Sequence, residues 1–173
     1  MSFNRSLAIV FGLTLAAAAY VWTTSHGLPP IVASHFNASG AADGFMSRQF
    51  YIWFMIAFIA GLPLLLVLLP NLAFHHPRLR FNVPNRDYWL APERRPETVA
   101  FLCRQNTWLS VLITGFLCYV HWLVLQANTM NPPRLSSPLF VVGLALVMIL
   151  SSAWALALVL RFLKVPPGRS GSL

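Results

Sequence analysis

The sequence predicts an all-α integral membrane protein: four transmembrane helices, both termini cytoplasmic, and a folded outer loop between the first two helices. Three observations carry that prediction. Residues 6–25, 49–70, 107–125 and 139–160 contain no Asp, Glu, Lys or Arg, and each approaches the about 20 residues of helix that cross a bilayer core. Of the 173 residues only 9% are charged and 57% are hydrophobic, with a mean hydropathy of +0.66. A soluble domain carries roughly 25% charged residues, so lipid must be the solvent for much of this chain. The basic residues are also unevenly shared. With the N terminus inside, Arg5, Arg78, Arg80, Arg86, Arg94, Arg95, Arg104, Arg161, Lys164 and Arg169 face the cytoplasm, and Arg48 and Arg134 lie outside. This is a ten-to-two split of the 12 basic residues, the asymmetry that orients membrane proteins.

The same reasoning disposes of the net charge of +8. In a soluble protein it would point to nucleic acid. Here the charges sit in loops, so no nucleic-acid partner is expected and the lipid bilayer is the first partner. One membrane domain over residues 1–164 is expected, with a disordered tail over 165–173 rich in Pro and Gly.

The first helix is rich in small residues. Gly12 and Ala16 lie one turn apart and Ala17–Ala19 follow, a pattern that lets helix backbones approach closely. Arg5 followed by an apolar run and small residues also resembles a cleavable secretory signal. The run continues through Tyr20 and Trp22, which read as interfacial anchors, and a retained helix satisfies the charge count. The second helix carries Ala57 and Gly61 at the same spacing, then Pro63, which removes a backbone hydrogen bond and predicts a kink that serves packing. Tyr20, Trp22, Tyr51, Trp53, Tyr119 and Trp122 fall near the outer face as an aromatic belt, with Trp108 at the inner end of the third helix. The third helix is expected to restart at Pro96-Glu97-Thr98, with proline and an acid in its first turn. Cys103 and Cys118, about 22 Å apart along that helix, cannot bridge; Cys103 is expected to face the cytoplasm and Cys118 the bilayer.

The most motif-like stretch is 28–45, LPPIVASHFNASGAADGF. Pro29 and Pro30 hold an extended start, Gly40 permits a left-handed backbone, and Asp43-Gly44 is a turn pair. Leu28, Ile31, Val32, Phe36 and Phe45 should dip back into the interface, so the loop is expected to be a series of turns folded as a cap over the bundle. His35, Asn37, Gly40, Asp43 and Gly44 are its candidate site residues. His and Asp ligate metals, but their spacing fits no standard zinc or calcium pattern. Bonding within the loop is the first expectation, recognition of an outside partner or peptide the second.

Leu28-Pro29, His35-Phe36-Asn37, Gly40, Asp43-Gly44 and Arg48 resemble the bacterial membrane family known as domain of unknown function 1648. In that family a Leu-Pro start leads to a His-aromatic-Asn/Asp core, an Asp-Gly turn and a basic residue. Ala33 and Ala42 depart from it, standing where prolines are common. The resemblance covers the first helix, the loop and the start of the second helix. It implies a bacterial cytoplasmic (inner) membrane location and a distant likeness to the immunity protein SdpI, which protects against a secreted peptide and signals to a cytoplasmic repressor. Residues 82–95 are similar to a segment of small four-helix members of the broader family.

Two further sites follow from the residues. In the cytoplasmic loop, Arg86, Tyr88, Trp89, Arg94 and Arg95 combine aromatic anchors with cations, which suits contact with the inner leaflet or a docked protein. His75-His76 reads as polarity at the inner membrane edge. His121, an ionisable residue within a span, is a functional candidate by position; a structural role is the first expectation, and access to water or pairing with the cap near Asp43 or His35 is the second. No catalytic residues are found: there is no nucleophile with a base, no zinc box, no phosphate loop. Neither an enzyme nor a cofactor nor a bound metal is expected. The spans lack the repeats and buried acids of transporters. The expected role is a small accessory protein that packs against or regulates a larger membrane complex, with SdpI-like immunity or signalling as the alternative.

Overall fold

The computed structural model describes residues 3–75 and 83–164. In order these form α1 (Phe3–Ser25), β1 (Ile31–Phe36), β2 (Ala42–Ser47), α2 (Arg48–His75), α3 (Arg86–Trp89), α4 (Arg95–Ala127) and α5 (Ser137–Leu163). Among the described residues four helices are long and apolar enough to cross a membrane: α1, α2, α4 and α5. Each contains one expected span. The tail and the pair His75–His76 were also singled out in the sequence; residues 165–173, the side chain of His75 and residue 76 lie outside what is described.

The helices alternate in direction, and contacts between their ends show it. Arg48 at the start of α2 donates to the carbonyls of His26 and Leu28 at the end of α1, at 3.1 and 2.9 Å. Asn128, just past α4, bonds to β1. Trp89, before α4, bonds to the end of α5. One end of the bundle therefore carries β1–β2 and the 128–136 linker, and is called the hairpin end. The opposite end carries Arg5, Arg86, Arg94, Arg95, Arg104 and Arg161, and is called the basic end.

Helices α1, α2 and α4 share the core. Val21, Tyr51, Met55, Ile59, Leu117 and Val124 are among its buried members, with Leu28 and Val32 of the hairpin segment. The seam that α4 presents is unusual in composition. Cys103, Thr107, Ser110, Thr114, Leu117, His121 and Val124 alternate spacings of four and three residues and are all buried. Four of the seven carry polar groups. Thr107 and Thr114 return their hydroxyls to the carbonyls one turn back, Cys103 and Ser110, which satisfies them without a partner helix. Ser110 donates to the carbonyl of Pro63 in α2 at 3.1 Å. Small hydroxyl residues let the helices approach where lipid supplies no hydrophobic drive. Helix α2 runs through Pro63 and Pro70 as one element, and Pro63 is fully buried against α4. Cys103, expected at the cytoplasmic surface, is instead 2% exposed, because it falls on this seam.

Helix α4 has 33 residues, about 50 Å of helix. That exceeds the roughly 30 Å hydrocarbon layer, and its excess turns carry Arg95, Glu97, Arg104 and Gln105. Pro96 stands in its first turn with Glu97 beside it, the start expected from the sequence. Helix α5 packs chiefly against α4, and of its side chains only Val147 and Phe162 are buried.

Candidate functional site

The loop expected as a series of turns is a two-stranded antiparallel hairpin. Ile31, Val32 and Ala33 pair with Ser47, Met46 and Phe45, and the register shifts on either side of His35, which faces Gly44. A Cβ on Gly44 would lie 2.7 Å from the Cβ of His35, so that close pairing requires glycine. The bulge turns His35 and Asp43 toward one another: Nδ1 of His35 and Oδ1 of Asp43 are 2.5 Å apart, with side chains 76% and 43% exposed. The carboxylate holds Nδ1, and the rest of the imidazole stays largely exposed.

Asn37 closes the turn. Its Oδ1 accepts bonds from the Ser39 amide (3.0 Å), the Ser39 hydroxyl (2.7 Å) and the Ala41 amide (3.1 Å). Gly40 has φ +82°, a left-handed conformation that glycine adopts without cost. Gly40 also meets the 128–136 linker: its carbonyl accepts the Leu135 amide at 2.9 Å, and a Cβ there would collide with the Leu135 carbonyl. The structure thus brings His35, Asn37, Gly40, Asp43 and Gly44 together as one interlocked turn. Each has a bonding or steric task within the hairpin.

Asn128 was not singled out in the sequence. Its Nδ2 donates to the Ala33 carbonyl and its Oδ1 accepts the Ala33 amide, both at 2.9 Å. A carboxamide thereby pairs with β1 as a neighbouring strand would. The bond needs the amide hydrogen of Ala33, which a proline at that position would lack. The one available signal was spacing, since Asn128 lies four residues beyond Val124 on the α4 seam.

His121 lies under the hairpin end, fully buried. Its partners are Thr24 and Tyr51, neither of which the sequence connected with it. The Thr24 hydroxyl donates to the Tyr20 carbonyl at 2.7 Å, so its oxygen must accept from Nε2 of His121 at 2.9 Å. Nδ1 then carries the lone pair and accepts the Tyr51 hydroxyl at 2.8 Å. Every polar atom of the ring is satisfied with the imidazole neutral. Tyr20 meets the ring edge-on with centroids 5.3 Å apart. The structural role expected first is the one these bonds describe, and the second expectation, a route to water or to His35 and Asp43, is corrected: helix packing encloses the ring, and His35 is held by Asp43. Tyr51, expected in the aromatic belt, is 2% exposed for the same reason, whereas Trp22, Trp53 and Trp122 do remain exposed at the hairpin end.

At the basic end, Trp89 turns to α5. Its Nε1 donates to the Phe162 carbonyl at 3.0 Å, and Asn85, at φ 51°, donates to the carbonyls of Phe162 and Leu163. These are terminal carbonyls that lack a partner within the helix. Arg94 lies over the ring of Tyr88 at 4.0 Å, and Arg161 over that of Phe101 at 3.8 Å. Arg86 is exposed and Arg95 opens α4. Part of this segment is thus engaged within the chain. Among the described residues no group of three His, Cys, Asp or Glu lies together to hold a metal ion.

Residues 9–60 match the family model described as Domain of unknown function (DUF1648). The match runs from α1 through the hairpin into α2, the segment whose residues carried the resemblance. No curated protein and no solved structure matches the chain.

Proposed function

We propose that this multi-pass membrane protein, with its DUF1648 segment over residues 9–60, is an accessory protein of a bacterial inner membrane that packs through α1 against a larger membrane protein. The observation that carries the reading is the outward face of α1. Ala8, Gly12, Ala16, Ala19 and Thr23 are all exposed and fall on one stripe, opposite the buried Val10, Ala17 and Val21. Nothing lies within 4 Å of a Cβ placed on Gly12. Against lipid alone, small residues leave a shallow groove; against another helix they allow close backbone contact. Phe11, Leu15 and Trp22 flank the stripe and are exposed, as knobs beside a groove.

The orientation in this reading has both termini in the cytoplasm and the hairpin outside. It rests on the ten-to-two distribution of Lys and Arg. Lipid is the surrounding partner, and no catalytic role is assigned. The second reading, SdpI-like recognition of an extracytoplasmic peptide, draws on the exposed His35–Asp43 pair. It assigns the hairpin as the recognising element.

The test is purification of the tagged full chain from its native membrane in mild detergent, beside the Gly12→Leu and Ala16→Leu variants. A stoichiometric membrane protein that accompanies the wild type and is lost from both variants is the expected result. A wild-type chain that emerges without one would reject the accessory reading and turn attention to the hairpin.

A further inference from the structure

Two cavities adjoin at the hairpin end, and they differ in chemistry. The first, about 350 Å³, is lined by Ser39, Arg134, Ser136 and Ser137 together with Met130, Leu135 and Pro138. The second, about 500 Å³, lies between β1 and the facing ends of α4 and α5. Its apolar lining is Val120, Leu123, Val124, Phe140 and Val141. Its rim is polar, with Ser34, His35 and Asn37. Leu135 and Ser137 line both, so a single molecule can occupy the two together.

We infer that this pair of cavities is a binding site for one glycerophospholipid of the surrounding bilayer, its phosphate at Arg134 and one acyl chain in the apolar chamber. Three features argue for that occupant. The first is charge. Of the two basic residues at this end, Arg48 is committed to the carbonyls of His26 and Leu28. The Arg134 guanidinium makes one long bond among the described residues, to the Ser39 carbonyl at 3.3 Å, out of five N–H donors. A guanidinium fork fits a phosphate bidentately. The second is the set of hydroxyls beside it. Ser136 precedes α5 in the cap position, yet its side chain makes no capping bond. The Ser137 hydroxyl lies against Gly40, 2.8 Å from where a Cβ would stand. Ser39 and Ser137, on either side of that glycine contact, both line the small cavity.

The third feature is depth. From Ser137 to Val141 is about 6 Å along the helix, close to the thickness of one headgroup layer, about 5–7 Å. A phosphate level with Arg134 thus places the first methylenes of a chain against Phe140 and Val141. His35, oriented by Asp43, stands at the rim where the glycerol esters pass. A soluble anion would leave the larger chamber without a function, and a neutral diglyceride would bring no anion to the Arg134 guanidinium.

Native mass spectrometry of the full chain in detergent tests the assignment, with dioleoyl phosphatidylglycerol as the probe and dioleoylglycerol and glycerol phosphate as comparisons. One phosphatidylglycerol per chain is expected to survive at concentrations that strip the other two. Arg134→Gln is expected to weaken it about tenfold, the loss of a charge-assisted contact. Val141→Trp, at a position 59% exposed that fills the chamber mouth, is expected to weaken it similarly. Arg5→Gln, at the opposite end, should leave it unchanged. Retention unaffected by both Arg134→Gln and Val141→Trp overturns the site. Equal retention of dioleoylglycerol, or equal affinity for glycerol phosphate, overturns the phosphate or the chain half of the assignment respectively. Neither result bears on whether a protein partner docks along α1.

Discussion

The hydroxyl of Tyr51 meets Nδ1 of His121 at 2.8 Å, joining α2 to α4 at a point where both side chains are shut off from solvent. Thr24 brings α1 to the other ring nitrogen at 2.9 Å. One imidazole thus ties together the three helices of the core. Replacement by His121→Phe keeps the ring and strands the Tyr51 hydroxyl. A cost of about 1–2 kcal/mol follows, seen as a lower melting temperature in detergent. The double variant with Tyr51→Phe should recover part of that loss, a coupling of about 0.5–1.5 kcal/mol. Strictly additive losses would show that the two side chains do not interact.

Gly40 serves a backbone conformation and a contact at once. Gly40→Ala should destabilise by about 1–3 kcal/mol through the positive φ alone. Its Cβ also pushes away the linker carbonyl of Leu135. Limited trypsin digestion should therefore cut after Arg134 faster in the variant. An unchanged rate there would mean that the linker does not depend on the turn.

Asn128 is expected to govern the amide of Ala33. Asn128→Asp keeps an acceptor for that amide but replaces the donor to the Ala33 carbonyl with an oxygen that repels it. Asn128→Ala loses both bonds, at about 1–3 kcal/mol. Hydrogen exchange at Ala33 should accelerate in the Ala variant more than in the Asp variant. Ala33→Pro removes the amide hydrogen that Asn128 accepts and should make Asn128→Ala less costly than in the native background.

Asn85 offers a test by ordering. With φ at 51°, Asn85→Gly loses the two bonds to Phe162 and Leu163 but accepts the backbone. Asn85→Ala loses the same bonds and adds about 1–2 kcal/mol for a left-handed Cβ. Melting temperatures should fall in the order native, Gly, Ala. Trp89→Phe removes one further bond to Phe162 while keeping most of the ring contact, and should cost about 1 kcal/mol.

Much of this architecture was legible because the bilayer imposes it. Absence of charge over about 20 residues marks a span whatever the side chains touch, and Pro96-Glu97 marks the start of α4 through local backbone chemistry. The His35–Gly44 motif was visible as turn residues. That it forms paired strands was not, because its register is irregular around His35 and its β1 edge is filled by Asn128, 95 residues away. The partners of His121 were hidden for a related reason. Thr24 and Tyr51 lie 97 and 70 residues from it, and nothing local in α4 names them. The hydroxyl seam of Thr107, Ser110 and Thr114 disappears into an apolar average, because Leu, Val and Ile on the other faces dominate any hydropathy window. Cys103 was misplaced by the same averaging: its height along the helix was readable, and the direction it faces was not.

Helix α5 is fastened mainly by its main chain. The Tyr119 hydroxyl donates to the carbonyl of Leu139, and Asn85 and Trp89 donate to those of Phe162 and Leu163. Among the described residues, α5 side chains add the Trp154 bond to the Gln105 carbonyl and the contacts of Arg161 with the Phe101 ring and the Glu97 carboxylate. Every residue type offers the same main-chain carbonyl, so the main-chain fastenings do not depend on which side chains α5 carries. Its position and its outward surface are consequently separable traits. Substitutions at exposed positions such as Leu146, Ile149 and Leu156 can accumulate, and can be selected for a new membrane or a new neighbour, while the helix stays where it is.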